Sequence, residues 1–263
     1  FQKALKLDPD SKEALFLLGS AQYKAGFMVE ARTNLNAYCK AIPDNSWAWL
    51  HLATISQQEN KHLQAIEEFK KANACPDADS AAVYYSRAIS YLELKMIQEA
   101  NSDVDSALSF HSTDPTVLLS LGYELNQLER YEEALQVLEQ AIALDSTFAY
   151  AYNNRGFAKY KLGQYEAAIL DFNKSIALKN DYYHWPPYNR ANALRALGRD
   201  KEAIDDFNLS LSYKADYAVA LNDRGETWEK LGNMDKAVSD YQEALKADPD
   251  LETAKKNLQR LGK

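Results

Sequence analysis

The sequence has little glycine, proline and cysteine, and it has no long apolar run. Nine Gly and seven Pro in 263 residues leave few helix breakers, while abundant Ala, Leu, Glu and Lys favour helix. Two cysteines, Cys39 and Cys75, are too few for a disulfide framework and form no Cys-x-x-Cys pair. They are typical of buried helix residues and weakly favour a cytoplasmic protein. No stretch approaches the length of a transmembrane helix, and no signal peptide is visible.

Charge and histidine placement exclude several classes of function. A net charge of −8 and a pI near 5.1 argue against a nucleic-acid binder, which needs clustered basic residues. No histidine has a second one three or four residues away to present two metal ligands on one helix face. There is no glycine-rich phosphate loop and no Gly-x-Ser-x-Gly elbow. We therefore expect no catalytic, cofactor or metal site, and a protein that is not an enzyme.

A repeat of about 34 residues runs through the chain. An alanine recurs at spacings of 34 or 35 residues, with a small residue twelve positions before it and a large apolar residue four positions after it. Gly156, Ala168 and Phe172 are one such set. Small residues let two helices approach closely, and large ones fill the space between neighbouring hairpins. Each repeat therefore predicts a helix A, a short turn and a helix B. The alanines are Ala31, Ala65, Ala100, Ala134, Ala168, Ala203 and Ala237.

These residues resemble the tetratricopeptide repeat, whose aromatic, Leu-Gly, Tyr, Ala, Phe, Ala, Pro pattern is clearest at 115–148, 149–182 and 218–251. The resemblance covers the whole chain and implies an all-α fold, a right-handed α-solenoid, or superhelix, of helical hairpins. Residues 1–11 are expected to be the remnant of a preceding helix B, and 252–263 a C-terminal capping helix. The full repeats are placed at 12–45, 46–79, 81–114, 115–148, 149–182, 184–217 and 218–251.

Charged pairs distinguish four of the seven repeats. These four carry Arg at the seventh position of helix A and Asp sixteen residues later. The other three carry Leu at the seventh position, and none of them has Asp sixteen residues after it. One reading is a row of basic residues that awaits a ligand. We favour the other, in which structural ion pairs join helix A to helix B. The pairs are Arg87–Asp103, Arg155–Asp171, Arg190–Asp206 and Arg224–Asp240.

In the resembled family, helix A lines a concave groove that binds another protein. Groove side chains come mainly from positions two, five, six, nine, twelve and thirteen of helix A. Asparagine amides there can bond a peptide backbone, and aromatic rings provide contact area. Lys161 and Arg195 favour a modestly acidic peptide, whereas Asp223, Glu226 and Glu229 would repel acidic residues. The expected peptide-binding residues are Tyr150, Asn153, Asn154, Phe157, Tyr160, Lys161, Tyr188, Asn189, Asn192 and Arg195.

The sequence therefore favours a protein-interaction scaffold or adaptor that holds a peptide segment of a partner in its groove. One alternative is the recognition arm of a larger enzyme, such as a glycosyltransferase resembling the O-linked N-acetylglucosamine type. The asparagine ladder of those arms is present only at Asn154 and Asn189. A second alternative is a homo-oligomeric assembly module. The carboxylate clamp of the chaperone-binding members is not found at matching positions. No nucleic acid and no direct membrane insertion are expected, and the partner and the oligomeric state stay open.

Overall fold

The computed structural model describes residues 8, 11–178 and 183–262. Most of the expected helix remnant, 1–11, lies outside these residues. Within them the chain forms fifteen α-helices and no strand, as the all-α prediction requires. The helices are α1 Lys12–Lys24, α2 Met28–Ala41, α3 Ser46–Gln58, α4 His62–Asn73, α5 Ser80–Glu93, α6 Ile97–Ser109, α7 Pro115–Gln127, α8 Tyr131–Leu144, α9 Ala149–Lys161, α10 Tyr165–Leu178, α11 Trp185–Ala196, α12 Asp200–Tyr213, α13 Ala218–Lys230, α14 Met234–Ala247 and α15 Glu252–Arg260.

Turns of three residues separate helix A from helix B in each repeat, and these turns need a left-handed backbone conformation. Gly163 supplies it between α9 and α10 with a φ of 75°. Glu129 adopts a φ of 60° between α7 and α8, and Asn60 one of 56° between α3 and α4. Glycine takes this conformation without steric cost, whereas other residues are strained there. The repeat therefore keeps its turn geometry where the sequence does not keep its glycine.

The small residue of helix A allows the two helices of a hairpin to approach closely. A Cβ atom added at Gly156 would lie 2.7 Å from the ring of Phe172, and one added at Gly225 would lie 2.7 Å from the ring of Tyr241. Both distances are shorter than normal carbon contacts, so a larger residue would force the hairpin apart. The large residue of helix B thus packs directly against the small residue of its own helix A.

The chain divides into two compact units, Phe1–Leu128 and Glu129–Lys263, so that the division falls between α7 and α8. In the first unit, helices α1 to α6 pair as hairpins around fully buried residues such as Leu35, Leu52 and Phe69. Helix starts are capped by Asn45, Asp79 and Asp114, whose side chains accept hydrogen bonds from backbone amides of the first turn.

In the second unit, α9–α10, α11–α12 and α13–α14 form successive hairpins around the buried rings of Phe172, Phe207 and Tyr241. Helix α11 begins at Trp185, one position later in its repeat than α9 and α13. Pro186 and Pro187 occupy its first turn, where the missing amide hydrogens need no partner within the helix. The last helix, α15, packs on the final hairpin and has no helix B of its own among the described residues.

Candidate peptide-binding face of the second unit

The A helices of the second unit form one layer, and direct side-chain bonds join each helix to the next. We call the surface of α9, α11, α13 and α15 the A-helix face. One set of bonds joins position five of one helix to position six of the following one, at distances of 2.8 to 3.1 Å. The pairs are Asn153–Asn189, Tyr188–Asp223 and Asn222–Asn257.

These bonds place two of the expected peptide-binding asparagines inside the layer. Asn153 and Asn189 are 6% and 9% exposed, and the Nδ2 of Asn189 donates to the Oδ1 of Asn153 at 3.0 Å. The geometry gives both amides a supporting role between α9 and α11. Their direct contact with a peptide stays a prediction.

A second set of bonds joins position twelve of one helix to position nine of the next through ion pairs. Arg195 Nη2 donates to Glu226 Oε2 at 2.9 Å, and both terminal nitrogens of Arg260 donate to Glu229 at 2.7 Å. The charge of Arg195 is therefore compensated within the protein. The expected preference for an acidic peptide rests on Arg195 and Lys161. Because Arg195 is paired with Glu226, Lys161 is the residue of the two that still supports it.

Three apolar side chains stay exposed on the A-helix face, all at position two of their repeats. Tyr150, Trp185 and Val219 are 38%, 44% and 39% exposed. The ring of Tyr150 contacts the edge of Tyr183 at 4.7 Å, and the ring of Trp185 contacts Tyr217 at 5.4 Å. The three lie on consecutive helices and form an apolar strip along one side of the face.

The remaining expected residues lie on the same face with partial exposure. Phe157, Tyr160, Asn154 and Asn192 are half-buried, and Lys161 is exposed at the end of α9. The Nζ of Lys161 lies 5.6 Å from the ring centre of Phe157, within the range of a cation–π contact. The structure thus brings these side chains to one surface beside the apolar strip.

Burial raises the pKa of two groups at the centre of the face. The pKa of Asp223 is raised, chiefly because burial disfavours the carboxylate, although the Tyr188 hydroxyl and Arg195 oppose the shift. The pKa of Tyr188 is raised by burial and by the negative charge of Asp223. Tyr188 therefore stays a hydrogen-bond donor at neutral pH, and its hydroxyl bonds Asp223 at 2.8 Å.

The four arginine–aspartate pairs are each in direct contact, and each joins helix A to helix B of one hairpin. In every pair Nε donates to Oδ2 at 2.6 to 2.8 Å while Nη2 bonds the other carboxylate oxygen. Asp171 has a second cation, because the Nζ of Lys159 lies 2.8 Å from its Oδ2. The carboxylates are 4% to 6% exposed, so these arginines have partners within their own hairpins.

Further polar contacts join neighbouring repeats and were not anticipated. Arg190 and Arg224 also donate to Asn173 and Asn208, which belong to helix B of the preceding repeat. In the first unit Arg32, on α2, bonds Ser56 at 3.0 Å and reaches Glu68, on α4, at 3.4 Å. The spacing of 31 residues that Arg195–Glu226 and Glu229–Arg260 share is the sequence signal that could have revealed the ion pairs of the A-helix face, whereas the spacing of Arg32 and Glu68 occurs once.

The described part of the chain holds no group of three or more side chains arranged to bind a metal ion. Among the helices that the structure describes, none combines the length and apolarity that a membrane crossing needs.

Comparison with known sequence families assigns the repeat. Models described as "Tetratricopeptide repeat" match residues 1–46, 149–182, 188–217 and 218–251, and one described as "TPR repeat" matches 122–163. The chain belongs to the tetratricopeptide repeat family. Proteins of this family mediate protein–protein interaction and assembly, and the expected scaffold class is consistent with that role.

Solved tetratricopeptide structures confirm the helical repeat solenoid. The APC/C hetero-tetramer Cut9–Hcn1 matches with a TM-score of 0.75 and 20% identity over 98% of this chain and 51% of that chain. A tetratricopeptide repeat protein from Parabacteroides merdae ATCC 43184 gives 0.71 and 20%, over 95% and 98%. PilW, a type IV pilus biogenesis factor, gives 0.72 and 22%, over 81% and 98%. At these identities the likeness shows the fold alone.

A curated relative matches part of the sequence. The DnaJ homolog subfamily C member 7 homolog of Schizosaccharomyces pombe is 31% identical over 124 residues. The alignment covers 41% of this chain and 26% of that protein. The chain thus spans about a quarter of this relative, and the activity of the whole relative is not carried over.

Proposed function

We propose that the A-helix face of the second unit binds a peptide segment of a partner protein, centred on α9 and α11. The observation that carries this proposal is the exposed apolar strip of Tyr150, Trp185 and Val219. Large aromatic side chains at the surface are enriched among the residues that dominate binding energy. The three side chains lie on α9, α11 and α13, which are consecutive A helices. This arrangement suits a peptide segment that runs across those helices.

The spacing of the helices indicates how such a segment would place its side chains. Packed helices lie about 8 to 10 Å apart, and a chain in the polyproline II conformation rises about 3.1 Å per residue with three residues per turn. A peptide that crosses the face therefore moves from one helix to the next in about three residues. We expect apolar anchors at about every third position, seated against Tyr150, Trp185 and Val219.

Polar contacts would come from the partly exposed residues beside the strip. The amides of Asn154 and Asn192 are of the type that bonds a peptide backbone. Lys161 is exposed at one end of α9 and suits an acidic group on the segment. These assignments rest on partial exposure and side-chain chemistry.

The test selects random peptides displayed on phage against the immobilised protein and then measures their affinities by fluorescence polarisation. Trp185→Ala and Tyr150→Ala should each weaken the selected peptides about thirtyfold, which corresponds to about 2 kcal/mol for the loss of an aromatic anchor. Leu170→Ala is the matched control. Leu170 is an apolar residue that is 69% exposed on α10, in the B-helix layer of the same unit.

Binding that survives both aromatic substitutions but is lost in Leu170→Ala would place the site on the B-helix side. Failure to select any peptide would count against a peptide-binding role for this face.

A second candidate function is self-assembly through the first unit. Trp47 and Leu17 are 48% and 37% exposed on its A helices, and contiguous exposed apolar side chains mark interaction surfaces. If this surface joins two copies, light scattering should show a dimer whose dissociation is favoured by Trp47→Ser. A monomer at all accessible concentrations would remove this candidate.

A further inference from the structure

Asp223 is a carboxylate whose two bonds both come from neutral donors. The Tyr188 hydroxyl donates to its Oδ2 at 2.8 Å, and the Nδ2 of Asn222 donates to its Oδ1 at 3.3 Å. The nearby cation, Arg195, forms its ion pair with Glu226 instead. At the same position of the neighbouring A helices stand the neutral amides Asn189 and Asn257.

The surroundings of Asp223 carry an uncompensated negative charge. Asp223 and Glu226 supply two carboxylates, whereas Arg195 is the single cation that pairs with either of them in the described part of the chain. Burial also raises the pKa of Asp223, which shows that its charge is poorly solvated. A positive group brought close to Asp223 would therefore be favoured by charge.

An aromatic surface adjoins the same carboxylate. Tyr188, which bonds Asp223, packs edge-on against Tyr217 at 5.0 Å and against Trp185 at 6.3 Å between ring centres. Trp185 is 44% exposed. Ring faces of tryptophan and tyrosine attract ammonium and guanidinium groups. The aromatic rings and the carboxylate thus share one chemical preference, which is for a cation on an aliphatic stem.

We infer that the A-helix face selects a Lys or Arg of its peptide partner, with the stem against Trp185 and Tyr188 and the cation directed to Asp223. This inference rests on the proposed function, because it assumes that a peptide lies on that face. Lys161, on α9, is an exposed cation of the same face, and Lys230, at the equivalent position of α13, forms an ion pair with Asp200 at 2.8 Å. The opposite charges of Lys161 and Asp223 fix the direction of the segment, with its basic residue over α11 and α13 and an acidic or neutral part over α9.

The experiment repeats the phage selection of random peptides on the wild type and on Asp223→Asn. The amide keeps an oxygen that accepts from the Tyr188 hydroxyl, so the fold is retained and circular dichroism checks it. The control is Asp205→Asn, which removes the same charge from the exposed surface of α12. We expect peptides selected on the wild type and on Asp205→Asn to be enriched in Lys and Arg, and those selected on Asp223→Asn to lose that enrichment.

A second measurement changes the peptide and compares its binding to the two proteins. Replacing the basic residue of a wild-type-selected peptide by Gln should weaken its binding to the wild type about tenfold and its binding to Asp223→Asn far less.

The outcomes separate the two proposals. Peptides that bind, that are lost in Trp185→Ala, and that show no basic enrichment overturn this inference and leave the proposed function standing. A basic enrichment that persists in Asp223→Asn also overturns it. Peptides that are unaffected by Trp185→Ala, or no peptides at all, overturn both.

Discussion

At the scale of the residue, one buried carboxylate makes stability depend on pH. Glu124, on α7, is 2% exposed, and burial together with the charge of Glu93 raises its pKa to about 8. Its ordinary pKa is 4.5. Between these values the folded protein holds a proton that the unfolded chain releases, so the free energy of unfolding falls as pH rises from about 5 to 8.

We expect Glu124→Gln to remove this dependence. The amide has nearly the same shape and no charge, so the variant should gain a few kcal/mol over the wild type at pH 8, because each pKa unit corresponds to about 1.4 kcal/mol. The two proteins should be nearly equal at pH 4. Urea unfolding at several pH values measures this, with the exposed Glu132→Gln as control. Parallel pH profiles for wild type and Glu124→Gln would show that the pKa of Glu124 is the same in the folded and the unfolded chain.

The buried arginine–aspartate pairs predict an unequal response to single and double substitutions. Asp103 is buried and bonds Arg87 through both oxygens, so Asp103→Val alone leaves a largely buried guanidinium, 12% exposed, without its partner and should cost about 3 kcal/mol. Adding Arg87→Leu produces the combination that the fourth repeat carries at Leu121 and Val137, and should recover part of the loss. A thermodynamic double-mutant cycle measures the coupling. Strictly additive losses would exclude a stabilising pair.

Pairs within a repeat were visible in the sequence, whereas pairs between repeats were not. Arg87 and Asp103 share their spacing with three other repeats, so comparison of the repeats with one another suggested the contact. Arg32 and Glu68 belong to different repeats and occur at these positions once, so nothing in the sequence pairs them. Asn189 was expected at the surface for a similar reason, because helix position alone does not reveal the neighbouring amide of Asn153.

At the scale of the element, α15 takes the place of a helix A whose helix B is lacking among the described residues. Asn257 bonds Asn222 as Asn189 bonds Asn153, and the buried Leu258 packs with Tyr241 of the preceding helix B. The position that is small in the seven repeats is Gln259, and its side chain is exposed. A glutamine there would block a further helix B, which supports the proposal that 252–263 is a capping helix.

Removal of residues 252–263 should therefore damage the last hairpin first. Ala254 and Leu258 cover apolar surface of α13 and α14, and each repeat depends on its neighbours alone. Amide hydrogen exchange should rise across 218–251 and stay nearly unchanged in α9. Lys256→Ala, an exposed change on the same helix, is the control. Equal loss of protection in α9 and α14 would contradict a local role for α15.

The sequence predicts which segments are helical more accurately than it predicts the residue at which each helix begins. Each predicted repeat contains two helices because the small and large residues recur at fixed positions. Helix starts depend on single side chains such as Asp79, which caps α5 so that the helix begins at Ser80, one residue before the predicted repeat start at 81. The late start of α11 has its cause in Pro186 and Pro187, which fit the first turn and no later one.

At the scale of the whole molecule, each unit has buried clusters of its own. Those of the first unit include Leu35 and Phe69, and those of the second include Phe172 and Phe207. A repeat fold can be predicted from sequence because the same packing residues recur at the same positions of every copy. The binding surface is harder to predict because it depends on residues in which the copies differ, such as Trp185 and Asp223.

Because each repeat packs against its neighbours, we expect a destabilising substitution in one unit to raise amide hydrogen exchange mainly in the helices next to it. Phe69, on α4, and Phe207, on α12, are fully buried, and truncating either to Ala removes about 3 to 5 kcal/mol of packing. We expect Phe69→Ala to raise amide hydrogen exchange mainly in α3 to α6 and to leave α11 to α14 near the wild-type rates. Phe207→Ala should give the reverse pattern. Both follow because a repeat in a solenoid contacts its neighbours and no distant part of the chain.

Hydrogen exchange with mass spectrometry under native conditions resolves the two regions, and the exposed Leu170→Ala serves as the control. If either variant raised exchange uniformly from α3 to α14, the chain would unfold as one cooperative body, and the local description of its stability would have to be abandoned.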